Sequence, residues 1–225
     1  MAKAGTLLAV LASVDLVLGP LLTAIVFRAG KRGLKFDLAV IALLQIAALF
    51  YGLHTLWNSR PAYVVAISNQ FRMVFANEIE VPSAEKASSA YRSAPAWGAK
   101  LVAAPLPTDP KARMEAILES FSGAEIFLQP SHYVPYPPPG DEPLRYAVPA
   151  EKAIALAPPA QRADWQAAFD HDRDVKRLAM LPLQSSRGSA TVLLDAADGR
   201  IVRYVGLDPW PIMNAAAREQ KAAGR

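Results

Sequence analysis

The sequence predicts an α+β protein: an N-terminal two-helix transmembrane hairpin, then a domain with an antiparallel sheet and packed helices. Three observations carry that prediction. The 225-residue chain is 52% hydrophobic and 20% charged, and the apolar excess is concentrated at its start. Residues 6–27 carry one charge, Asp15, and residues 38–57 carry none. Each run reaches the roughly 20 apolar residues that a helix needs to cross a bilayer core of about 30 Å. From residue 59 onward, period-two and period-3.6 patterns alternate between turn signals, as in one ordinary globular domain.

The hairpin comprises spans of about 6–27 and 37–57, joined by a basic loop at 28–36. Arg28, Lys31, Arg32 and Lys35 lie in the "RAGKRGLKFD" connection. A cleaved signal peptide is the competing reading of the first run, with Lys3 as its basic start. The basic cluster followed by a second span favours the hairpin. Positive charge marks the cytoplasmic side, so the loop faces the cytoplasm and both outer ends face away from it. In a bacterium the domain is then periplasmic. The absence of cysteine suits that compartment without requiring it. The net charge of +4 is accounted for by the loop, so no nucleic-acid partner is expected.

Asp15 interrupts the first span in "SVDLVLGP". It lies about 12 Å deep at 1.5 Å per residue. A carboxylate there should face protein or be protonated. In an antiparallel hairpin, Asp15 falls level with Ala48 and within a turn of Gln45, its expected partner. His54 lies nearly two turns too far outward. Gly19 shares the Asp15 face and would admit another backbone closely. Pro20 frees a carbonyl and kinks the helix. Asp15, Gly19, Pro20, Gln45 and His54 are the membrane-face candidates. They act as a polar clamp within the hairpin or as a docking face for another membrane helix. Ion transport would need more spans.

In the domain, residues 63–67 and the alternation of Phe71, Met73 and Phe75 predict a β-hairpin turning at Ser68-Asn69. Pro82-Ser83 opens a short helix running to about Tyr91, with Ser83 as N-cap. Residues 100–104 form a short strand. Asp109-Pro110 starts a helix with Asp109 as cap and Pro110 in the first position. Met114, Ile117, Leu118 and Phe121 then share one face, and Gly123 stops the helix. Residues 129–149 hold seven prolines and read as an extended surface loop. Helices follow at 150–157 and 161–171, the second packing Trp165 on Phe169. Pro182 makes residues 178–184 an edge strand. Residues 190–194 and 201–205 form the last hairpin around Ala196-Ala197-Asp198-Gly199. The domain spans 59–213, and 214–225 is a tail that frays or forms a terminal helix.

Motifs with chemistry are sparse. GxGxxG, P-loop and HExxH patterns are absent, and no thiol is available. Ser83-Ala84-Glu85-Lys86 matches S-x-x-K, the arrangement in which a lysine one turn away activates a serine. The companion motifs are missing, so the cap reading is preferred. Asp170-His171-Asp172-Arg173-Asp174 is a solvated helix end, because consecutive helical residues do not converge on one metal. His132 has no identifiable base partner. Pro182 and Trp210 are the partner-contact candidates of the domain, Trp210 because an exposed tryptophan is a frequent hot spot.

"VDLVLGPLLTAIVF", "GLKFDLAVIALLQIAALFYGLHTL", "RPAYVV" and "LPLQSSRGSATVLLDAADGRIVRYVGLDPW" resemble the TfpX/TfpZ-type pilin accessory proteins. The resemblance runs from about Val14 to Trp210 and is strongest at the two ends. It implies a bacterial inner-membrane protein that supports type IV pilin stability or pilus assembly as a chaperone-like partner. The implied partners are a type IV pilin and other pilus assembly proteins. No catalytic residue, metal or cofactor is implied. Members of that family begin with a further hydrophobic helix, which points to a late start or a lost first span; either leaves the domain periplasmic. Two alternatives come from other classes: a membrane-anchored periplasmic serine hydrolase using Ser83 and Lys86, and a periplasmic sensory domain signalling through a partner.

Overall fold

The structure is a computed structural model that describes residues 34–121, 123, 125–137, 142–170 and 175–223. Asp15, Gly19, Pro20 and the expected first span lie outside the described residues. The chain divides into two units at Asn58/Ser59.

The described part of the first unit is helix α1 (Leu34–Asn58). At 1.5 Å per residue its 25 residues extend about 37 Å. Lys35–Asn58 is the one candidate membrane span among the described residues, and none of its apolar window is buried. A helix apolar on every side requires an apolar surrounding, lipid or protein, along its length.

The second unit is α+β. Its strands are β1 (Pro61–Ile67), β2 (Gln70–Phe75), β3 (Lys100–Ala103), β4 (Val134–Pro135), β5 (Val148–Pro149), β6 (Leu178–Ser185), β7 (Gly188–Asp195) and β8 (Ile201–Val205). They join in the order β4-β3-β1-β2-β6-β7-β8, with β5 added against β6. The sheet is mixed, which corrects the antiparallel expectation. The β1–β2, β6–β7 and β7–β8 hairpins are antiparallel. β3 runs parallel to β1, and β6 runs parallel to β2 through the pairs Phe71↔Leu183 and Arg72↔Gln184. Hairpins declare themselves by adjacent strands and a turn between them. A pairing across about 100 residues leaves no local mark.

Both faces of the sheet are covered. Tyr63 and Val65 pack with Val74, Val102, Phe127 and Tyr133 on one side. Val64 and Ala66 pack with Phe71, Leu181 and Val192 on the other. Successive residues of one strand thus serve two cores, so β1 is buried almost throughout. A third cluster centres on Trp165, Phe169, Met180, Leu193 and Ile212. Helices α5 (Ala150–Leu156), α6 (Arg162–Asp170) and α7 (Trp210–Ala223) enclose it. Helix α7 continues past the expected domain end at Met213, because Ile212 and Ala216 anchor it to that cluster.

Two further expectations are corrected. Pro182 lies buried inside an interior strand, not on an edge. The two-residue turn Ser186-Arg187 makes Ser185↔Gly188 the closing hydrogen-bonded pair. Alternation along the ladder then puts Pro182↔Thr191 at a non-hydrogen-bonded position, with the proline nitrogen turned away from β7. On its other side β6 changes partner, from β5 at Met180 to β2 at Leu183. The missing N–H therefore falls at the gap between two ladders. The proline-rich stretch also holds more than a loop: a 3-10 turn (Pro130–His132), β4, helix α4 (Glu142–Tyr146) and β5.

Candidate functional site: an exposed helix face and the cleft beside it

Helix α3 (Pro110–Phe121) is built as its sequence indicates. The Asp109 carboxylate accepts the Ala112 N–H at 2.8 Å, and the Asp109 carbonyl accepts the Arg113 N–H at 2.9 Å. Gly123 follows at φ 91°, a conformation that suits glycine. No residue of the helix is buried. Its apolar stripe is open to solvent: Met114 is 56% exposed, Leu118 59% and Phe121 83%, with Ile117 beside them. The four side chains form a contiguous exposed apolar stripe along the helix.

Glu119, on the same helix, helps line a cleft of about 390 Å³ with Glu80, Ser83, Lys86, Ser131 and His132. The structure thus gathers Ser83, Lys86 and His132, which the sequence left as separate features. Helix α2 (Val81–Lys86) supplies Ser83 and Lys86. Ser83 is not its N-cap; Glu80 holds that position, and Ala84 N–H donates to the Glu80 carbonyl at 2.9 Å. The buried Ser83 hydroxyl instead ties down the Pro130–His132 turn. Its Oγ lies 2.6 Å from Ser131 Oγ and accepts the Ser131 N–H at 3.1 Å. Among the described residues no hydrogen bond links Ser83 to Lys86 or His132. In this arrangement the Ser83 hydroxyl holds a turn in place.

Tyrosines tie separate segments of the domain together. Tyr63 Oη donates to the Ser93 carbonyl at 3.0 Å, and Tyr133 Oη donates to the Phe127 carbonyl at 2.5 Å. Tyr63 and Tyr133 meet edge to face at 5.0 Å. Burial first, and then each ring's tyrosine neighbour, raises both hydroxyls above the ordinary tyrosine value. Tyr136 Oη donates to the Gly199 carbonyl at 2.5 Å. Burial, then Tyr204 and Asp198, push it up to about 12.

The remaining sequence candidates scatter. Gln45 and His54 both lie exposed on α1. Nine residues apart, they are about two and a half turns apart and on opposite faces. His54 Nε2 lies 2.8 Å from Asn58 Nδ2. Asp170 ends α6, and residues 171–174 lie outside the described residues. No group of three or more His, Cys, Asp or Glu that could hold a metal ion occurs among the described residues. Trp210 is half-buried at the start of α7, where its N–H faces Asp208 Oδ1 at 3.4 Å. Sequence reasoning identified the α3 stripe but assigned it no function, since periodicity alone does not show whether a face is covered.

No protein-family model and no solved structure matches the chain. Two curated proteins of Dichelobacter nodosus do. One, named fimbrial assembly protein of serogroup E1, is 25% identical over 206 residues, covering 90% of this chain and 80% of the relative. The other, named fimbrial assembly protein of serogroup I, is 25% identical over 203 residues, covering 88% and 79%. With its α+β domain and N-terminal apolar helix, the chain is therefore a distant relative of proteins named for fimbrial assembly.

Proposed function

We propose that this chain is an inner-membrane accessory protein of type IV pilus assembly, with α1 as part of its anchor and the α+β domain in the periplasm. The observation that carries the reading is the similarity to two fimbrial assembly proteins over about nine-tenths of the chain. The role is non-enzymatic: the domain holds a pilin subunit before or during assembly. The contact surface is the α3 stripe, Met114, Ile117, Leu118 and Phe121, whose exposure suits an apolar protein partner. A second contact is the intramembrane face of Asp15, Gly19 and Gln45, where a pilin membrane helix docks.

Deleting the gene and measuring surface pili tests the role; loss of piliation is expected, and normal piliation with normal pilin levels counts against it. Leu118→Ser with Phe121→Ser should reduce co-purification of pilin from solubilised membranes, and Asp15→Leu should reduce it as well; unchanged co-purification of Asp15→Leu counts against the membrane contact. The serine hydrolase alternative rests on the cleft. It requires Lys86 or His132 to reach Ser83, and labelling of Ser83 by a serine-directed probe would favour it.

A further inference from the structure

The two ends of the sheet differ in chemistry. One, the proximal end, is where the chain passes from α1 into β1. Pro61 pairs there with Phe75. β3 starts at this end with Lys100, and the β6–β7 turn closes at it with Arg187. Hydrogen bonds gather these segments. Arg60 Nε donates to the Pro95 carbonyl at 3.0 Å, and Arg187 donates to the Ser59 carbonyl at 3.1 Å while its guanidinium lies 3.9 Å from the Phe75 ring centre. Lys100 Nζ donates to the Ala90 carbonyl at 3.2 Å and lies 4.6 Å from the Tyr91 ring centre. Carbonyls and rings leave the Lys100 and Arg187 charges in place. Two residues beyond Pro95, Trp97 is 86% exposed, in a segment whose residues 96–100 are all exposed. Two acids at this end are already engaged: Glu78 accepts the Phe75 N–H and the Ser186 hydroxyl, and Asp208 accepts the Ser189 hydroxyl at 2.9 Å.

The distal end carries two ion pairs. In and beside the β7–β8 turn, Asp198 pairs with Arg200 at 3.2 Å and Asp195 with Arg177 at 3.0 Å. The eight residues of β7 separate the ends by about 26 Å at 3.3 Å per residue.

We propose that the proximal end, with Trp97, Arg60, Lys100 and Arg187, rests on the lipid headgroups of an anionic membrane. The inference rests on α1 being a membrane anchor. Only Ser59 and Arg60 separate α1 from β1, so the covalent chain holds Pro61 within about 11 Å of the helix end, at 3.8 Å per Cα step. Tryptophan and basic side chains are the residues that settle at the headgroup layer. The indole spans the polar and apolar regions, and the cations meet anionic lipid. The domain is then oriented with β1 rising from the bilayer and the β7–β8 turn far from it.

The absence of cysteine makes the test direct. Full-length Trp97→Cys and Ala197→Cys are reconstituted in phosphatidylethanolamine–phosphatidylglycerol vesicles and spin-labelled at the single thiol. Collision with a water-soluble nickel chelate is expected to be several-fold weaker at 97 than at 197. Adding Arg187→Glu should narrow that difference. Equal accessibility at 97 and 197, in protein that resists carbonate extraction, overturns the inference and leaves the anchor standing. Shielding of 97 that appears only when pilin is added overturns it in favour of a protein partner. Extraction by carbonate removes the anchor and the inference together.

Discussion

Helix α6 sets Trp165 and Phe169 four residues apart on one face. Helix α3 sets Met114, Ile117, Leu118 and Phe121 on a stripe of the same period. The α6 rings stack with centroids 6.1 Å apart and are fully buried against Met180, Leu193 and Ile212. No residue of the α3 stripe is buried. Local sequence decides that a helix has an apolar face; what covers it is decided by strands and helices distant in the chain. For α6 the cover comes from β6, β7 and α7. For α3 no cover comes from the described residues.

Breaking the covered face should have the largest effect. Trp165→Ala is expected to destabilise the domain by about 3–5 kcal/mol, the range for truncating a buried aromatic side chain. Urea unfolding followed by circular dichroism would measure it, and a loss near zero would mean that the α6 cluster is not a core. Next comes the start of the uncovered helix. Asp109→Ala should cost roughly 1 kcal/mol by removing its cap, a loss seen as local fraying in hydrogen exchange across residues 110–114.

A control outside both helices separates burial from helix formation. Tyr136 ionises near 10 in the unfolded chain and at about 12 in the folded one. The folded state keeps its proton longer, so this contribution to stability is complete below pH 10 and is lost as pH rises from 10 towards 12. Tyr136→Phe should flatten the fall in stability across that window, while the wild-type chain retains it. The smallest effect on stability belongs to the stripe itself. Leu118→Ser with Phe121→Ser should change unfolding free energy by no more than about 0.5 kcal/mol, as for exposed positions generally. If this pair destabilises as Trp165→Ala does, the two helices are alike after all.

The sequence made the locally specified elements legible: the β1–β2 hairpin, the Asp109 cap, the Trp165–Phe169 pair and the last hairpin. Each is written in residues a few positions apart. Features set by distant partners were not legible. Pro182 favours an edge by its missing donor, yet β6 accommodates it between two successive neighbours. Ser83 has the residue type and setting of an N-cap, but its partner is Ser131, 48 positions away. The proximity of Lys86 and His132 to Ser83 also depends on that long-range closure. Proline density suggested an open loop at 129–149, where short paired strands tolerate proline because each contributes only two residues to its ladder.

The short parallel join between β2 and β6 also governs how the chain can be made. β2 is complete at Phe75, but its second neighbour begins at Leu178, about 100 residues later. During synthesis at about 5–20 residues per second, β2 therefore has an open backbone edge until the final quarter of the protein emerges. An unpaired edge is a template for wrong strand pairing. Early termination anywhere between the two strands would leave that edge exposed permanently, so truncated products should aggregate even though the first hairpin is intact.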